Sequence, residues 1–138
     1  MSHTNVRFGL VGAGGIAQSY LQAFETCTAA ELVAVADLRS EAAQAMAEKA
    51  GCPSFSSHLE MADATELDAV IVCTPPTSHP QICIDFLERQ IHVLCEKPLS
   101  VDVVSALKMQ EAAQKAGVIL TMASKFRYVE DVIRAKSL

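Results

Sequence analysis

No stretch of this chain is long and apolar enough to read as a membrane span. The longest charge-free run, Phe8 to Phe24, is broken by Gly9, Gly12, Gly14, Gly15, Gln18 and Ser19. It falls short of the roughly 20 mainly apolar residues that a bilayer core demands. The same glycines spoil it as the apolar segment of a secretory leader starting at Arg7. Excess positive charge is missing too. The chain has 11 Lys and Arg against 16 Asp and Glu, a net charge of −5. That balance gives no general attraction to nucleic acid or to an anionic lipid surface. The five cysteines, Cys27, Cys52, Cys73, Cys83 and Cys95, are odd in number and form no CxxC pair. With no Cys/His cluster at metal-ligand spacing, no metal site is expected, and the cysteines read as reduced thiols of a cytoplasmic protein. Internal repeats and low-complexity segments are absent.

What is present is one domain's worth of chain. Of its 138 residues, 51% are apolar, too many for a disordered segment. The pattern alternates strand with helix. Val6–Val11 is a short apolar run ended by Gly12, and Ile16 to Phe24 carries apolar residues at helical spacing. Glu31 to Asp37 is a near-continuous apolar run, as suits a parallel strand buried on both faces. A helix follows from Glu41 to Ala50, with Ser40 as its expected cap and Gly51 as its terminator. Pro53 to Ser57 is a weak strand candidate and Asp68 to Cys73 a strong one. Ser78 and Gln81 have capping-box spacing before a helix to Arg89. His92–Cys95 reads as a strand, Ser100 as the cap of a helix to Ala116 closed by Gly117, and Val118–Met122 as a sixth strand. Lys125 to Leu138 starts another helical pattern. The expected fold is α/β: a doubly wound, mainly parallel six-stranded sheet with helices on both faces. In such folds the ligand crevice lies beyond the carboxyl ends of the strands.

Several groups of chemically useful residues fall at those strand ends. Gly12-Ala-Gly14-Gly15-Ile16-Ala17 has the pattern GxGxxA between the first strand and first helix. Gly12 permits the sharp turn, Gly14 lets a diphosphate approach the backbone, and Ala17 lets helix and strand pack closely. The helix N-terminus offers unpaired N–H groups to the phosphates. A carboxylate, Asp37, follows about 20 residues later, where it can accept hydrogen bonds from the adenosine ribose hydroxyls. It would repel a 2′-phosphate, which favours NAD over NADP, although Arg39 lies close enough to offset that charge. Cys73-Thr74-Pro75-Pro76-Thr77-Ser78-His79 is either a stiff wall of the crevice or an ordinary strand-to-helix turn. His79 alone reads as a commonplace exposed first-turn histidine. In Glu96-Lys97-Pro98, the lysine either reaches a substrate hydroxyl and stabilises its developing alkoxide, or forms a surface pair with its neighbour.

The motifs GAGGIA, VAVAD, CTPPTSH and CEKP, in this order and spacing, resemble the glucose–fructose oxidoreductase / inositol dehydrogenase family of Rossmann-fold oxidoreductases. The similarity runs from about Val6 to Tyr128. The EKP tripeptide is its most specific element. Arg127 and Tyr128 match the family's arginine-aromatic pair, whereas Lys125 replaces a frequent asparagine. The resemblance implies an NAD-dependent dehydrogenase acting on a sugar, polyol or related hydroxyl compound. It implies that Gly12, Gly14, Gly15 and Ile16 hold the pyrophosphate, and that Asp37, with Arg39 nearby, holds the ribose. Thr74, Pro75 and His79 would line the middle of the cofactor. Glu96, Lys97 and Arg127 would lie toward the nicotinamide, with Lys97 the catalytic lysine and the Lys97–Pro98 bond cis. Members also carry a substrate domain and usually form homo-oligomers. Residues 1–124 are thus expected to be the dinucleotide-binding domain, and 125–138 the start of a connection toward a substrate domain outside this chain. Alone, the chain is expected to bind cofactor without efficient turnover. The alternatives are a non-catalytic NAD(H)-binding regulator and, more remotely, an S-adenosylmethionine enzyme.

Overall fold

The computed structural model of the chain describes residues 5–137. Within them a six-stranded sheet has the order β3-β2-β1-β4-β5-β6. The strands are β1 (Val6–Val11), β2 (Ala30–Ala36), β3 (Ser54–Phe55), β4 (Ala69–Val72), β5 (His92–Cys95) and β6 (Leu120–Met122). Every pairing is parallel. The helices are α1 (Gly15–Thr26), α2 (Ser40–Ala50), α3 (His58–Ala64), α4 (His79–Leu87), α5 (Val103–Ala116) and α6 (Glu130–Lys136). Residues 1–4 and 138, at the ends of the two expected segments, lie outside the described residues.

The sheet is covered on both faces, and β4 shows why its sequence is apolar throughout. Val70 and Val72 join a core with Phe86 of α4 and Met109 of α5. Ile71, pointing the other way, packs with Ala17 and Leu21 of α1 and Met46 of α2. Alternate side chains meet opposite helix layers, so no position tolerates a polar residue. Chain order reverses at β1, which pairs with β2 on one side and β4 on the other. That reversal is the switch point of a doubly wound sheet, and it opens the crevice at the strands' carboxyl ends.

The helix starts differ from expectation. Ser40 is the first helical residue of α2, and Arg39 at the cap position makes no side-chain capping bond. No Ser78–Gln81 capping box forms. A 3-10 turn over Pro76–Ser78 leads straight into α4, and Gln81 bonds Asp85 instead. Asp102, not Ser100, caps α5: its carboxylate accepts the Ser105 N–H at 2.8 Å and the Ser105 hydroxyl at 2.7 Å. α3 was not expected at all. It is short, with Met61 its one buried residue, and Ser57 caps it by accepting the Leu59 N–H. The last strand starts at Leu120, because the Val118 N–H turns back to the Ala113 carbonyl at the end of α5. Gly51 and Gly117 close α2 and α5 in the left-handed conformation, as their positions implied.

The caps give a direct test. Asp102→Ala is expected to lower the thermal and urea midpoints measurably, since it strips an N-terminal amide of its acceptor. Ser100→Ala is expected to leave both within error.

Candidate functional site

The site begins where β1 ends. The Gly12 N–H donates to the Ala36 carbonyl at 2.8 Å, and the Cys73 N–H donates to the Val11 carbonyl at 2.7 Å. These bonds draw the turns after β1, β2 and β4 together. Gly12 sits at φ +95°, and a Cβ on it would stand 2.8 Å from the Cys73 carbonyl carbon and 2.9 Å from the Thr74 nitrogen. Only glycine satisfies both the conformation and the approach. Beyond it, α1 starts from Gly14 with no side-chain cap and no acidic residue in its first turn. The opening amides therefore present unpaired N–H groups and the positive end of the helix dipole. Space lies above them, since a Cβ on Gly14 or Gly15 meets nothing within 4 Å.

A cavity of about 670 Å³ adjoins this helix end, lined by Gly12, Gly14, Asp37, Arg39, Thr74 and Pro75 among others. Asp37 is its principal charged acceptor. The carboxylate, 11% exposed, accepts the Ala13 N–H at 2.7 Å and the Arg39 N–H at 2.8 Å. The Arg39 guanidinium approaches at 3.3 Å. Burial alone would raise the Asp37 pKa, but the amides of Arg39 and Ala13 and the guanidinium of Arg39 together hold it below the ordinary carboxylate value. Anion-binding amides, open volume and an ionised acceptor at one cavity fit a diphosphate with its ribose at Asp37. Gly15 and Ile16 lie beside the cavity on the exposed first turn of α1. Cys73 also lines it. Burial foremost, then Glu96 and Cys95, push that thiol up to about 12, so it stays neutral.

His79 is placed differently from the expectation that it lines the cofactor. It is fully buried and absent from the cavity wall. Its Nδ1 lies 2.9 Å from the Pro98 carbonyl oxygen and its Nε2 lies 2.7 Å from that of Thr74. A neutral imidazole has one N–H and donates to one of these; the doubly protonated ring donates to both. Either way the side chain ties the loop after β4 to the corner after β5. Thr74 is further braced by Ser78, whose Oγ lies 2.9 Å from the Thr74 hydroxyl and 2.8 Å from the Pro75 carbonyl.

At the β5 corner Lys97 is exposed and the Lys97–Pro98 bond is cis. Glu96 does not pair with the Lys97 ammonium. Its Oε1 accepts the Tyr20 hydroxyl at 2.7 Å, and its Oε2 accepts the Lys97 backbone N–H at 3.0 Å. Burial first, and Glu96 second, raise the Tyr20 pKa above its ordinary value, so the phenol keeps its proton and donates. Tyr20 is the site-region residue that sequence reasoning missed, being counted only as an apolar position of α1. The available signal was its hydroxyl, which needs a partner when the ring is packed inside. Arg127 lies exposed on a 3-10 turn, Lys125–Tyr128, and, like Glu96 and Lys97, it lies outside the lining of the cavity beside Asp37. Among the described residues, no group of His, Cys, Asp and Glu could hold a metal ion, and no helix is long and apolar enough to cross a membrane.

Residues 6–124 match the model of an oxidoreductase family with an NAD-binding Rossmann fold. The chain is 35% identical over 132 residues to glucose-6-phosphate 3-dehydrogenase of Bacillus subtilis, covering 96% of this chain and 37% of that protein. Among solved structures, the WlbA dehydrogenase of Bordetella pertussis, in complex with NADH and UDP-GlcNAcA, is similar at a TM-score of 0.93 and 32% identity, over 97% of this chain and 42% of that one. A 3-ketoreductase from Actinomadura kijaniata in complex with NADP has a TM-score of 0.91 at 26% identity, over 97% of this chain and 42% of that one. This chain therefore spans less than half the length of each.

The glycines separate by role. Gly12→Ala is expected to destabilise the fold by about 3 kcal/mol, through strain and collision with backbone that cannot yield. Gly14→Ala, with open space around it, is expected to stay within about 0.5 kcal/mol of the parent in urea unfolding.

Proposed function

The chain belongs to the oxidoreductase family with an NAD-binding Rossmann fold that its residues 6–124 match, and on that premise we propose that it is the cofactor domain of a dehydrogenase acting on a hydroxyl of a sugar or polyol. The observation that carries this reading is the meeting, at one cavity, of the uncapped start of α1, the open space over Gly14 and the Asp37 carboxylate. In this reading the amides of Gly14, Gly15 and Ile16 bind the diphosphate, and Asp37 accepts from the ribose hydroxyls. Thr74 and Pro75 wall the middle of the dinucleotide. Glu96, Lys97 and Arg127 serve the nicotinamide end.

When bound, the nicotinamide ring supplies hydride transfer. The Lys97 amine hydrogen-bonds the substrate oxygen and stabilises the charge that develops on it. Residues 1–124 form the cofactor domain, and 125–138 begin the connection to a substrate-holding domain. The full-length protein is read as a cytoplasmic homo-oligomer, a compartment consistent with the free cysteines.

NAD is preferred over NADP because Asp37 remains ionised beside the ribose position. Arg39 weakens that preference without reversing it, since its side chain is 69% exposed and its ion pair is screened by water.

Titration of the chain with NADH, NADPH and S-adenosylmethionine, followed by calorimetry, tests the assignment. NADH is expected to bind more tightly than NADPH, and S-adenosylmethionine not at all. Asp37→Asn is expected to weaken NADH by about tenfold, the loss of charged hydrogen bonds to the ribose, and to narrow the gap to NADPH. Tighter binding of NADPH by the parent contradicts the role given to Asp37. Binding of S-adenosylmethionine alone contradicts the oxidoreductase reading.

A further inference from the structure

The hydrogen bond between Tyr20 and Glu96 joins α1 to the corner after β5. Tyr20 lies on the helix whose opening amides are assigned to the diphosphate, while Glu96 closes β5, next to Lys97. The backbone at Glu96 is fixed by its N–H, which donates to the Val72 carbonyl at 2.9 Å. Its carboxylate is fixed by donors on opposite oxygens: the Tyr20 hydroxyl at 2.7 Å and the Lys97 N–H at 3.0 Å.

Resting on the cofactor-domain reading above, we infer that Tyr20 is a positioning residue that holds Glu96 away from the Lys97 ammonium and so sets the nicotinamide end of the site. Lys97 is exposed, so its ammonium competes with water for the carboxylate, whereas the half-buried Tyr20 hydroxyl already holds Oε1 at 2.7 Å in another direction. With Tyr20 in place, the Lys97 amine is left available to a ligand. With the hydroxyl removed, Glu96 turns toward Lys97, and both groups lose the geometry that the nicotinamide end requires. The phenyl ring of Tyr20→Phe still packs, so the first turn of α1 keeps its amides in place.

The test compares NADH with ADP-ribose, which shares the diphosphate and adenosine but lacks the nicotinamide. Tyr20→Phe is expected to weaken NADH about fivefold, the scale of one hydrogen bond, and to leave ADP-ribose within about twofold. Glu96→Gln is expected to reproduce that selective loss. The double variant is expected to lose no more than either single one, as members of one linkage do. Equal weakening of both ligands by Tyr20→Phe makes the residue a general support of α1 and overturns the inference. Unchanged NADH binding overturns it as well. If the parent chain binds neither ligand, the cofactor-domain reading itself fails and the inference falls with it.

Discussion

At Gly12 the backbones of neighbouring turns approach so closely that one added carbon would stand 2.8 Å from the Cys73 carbonyl carbon. This contact organises the site. It forces the chain leaving β1 into a left-handed bend, which aims α1 with its first amides over the strand ends. It also brings the loop after β4 against the same bend, so that Thr74 and Pro75 face Asp37 across one cavity. A bulkier residue at Gly12 would separate the loops and swing the helix start away from the carboxylate.

The electrostatics follow from that placement. An uncapped helix end carries about half a positive charge, and Asp37 supplies a negative one nearby. The Ala13 amide spans them, donating to Asp37 at 2.7 Å. Burial of Asp37 works against its charge, yet the hydrogen bonds prevail and keep it ionised. Unpaired amides, which would donate to a diphosphate, therefore stand beside a carboxylate that would accept from sugar hydroxyls. Farther along the strand ends, Glu96 is held from both sides, by Tyr20 and by Lys97's own amide. His79 ties the corner at Pro98 to the loop at Thr74 from beneath. The walls of the crevice are thus anchored by polar contacts, which fix geometry where apolar packing alone would leave it loose.

The sheet was legible because its signal is redundant. A strand such as Ala69–Val72, covered on both faces, must be apolar at every position, and glycines at the ends of α2 and α5 mark their stops. Gly12 was legible for a related reason, since only glycine fits its φ of +95° and its approach to Cys73, and Asp37 was legible from its place just after β2. What escaped was set by tertiary contact. Capping by Asp102 rather than Ser100 depends on where the chain enters α5, and residues two apart offer the same chemistry. The short helix α3 has too few buried positions for a periodic signal. His79 looked like a surface residue because its carbonyl partner at Pro98 lies 19 positions away in sequence. Tyr20 and Glu96 are 76 apart, and no local pattern reports such a pair.

The central claim is that the opening amides of α1 hold a diphosphate. Backbone amide NMR of the isotopically labelled chain, titrated with NADH, measures this directly. The account predicts that the largest shifts fall on Gly14, Gly15, Ile16 and Ala13, with Arg39 moving as the ribose engages Asp37. Saturable shifts confined to another surface, with those amides unmoved, would contradict it.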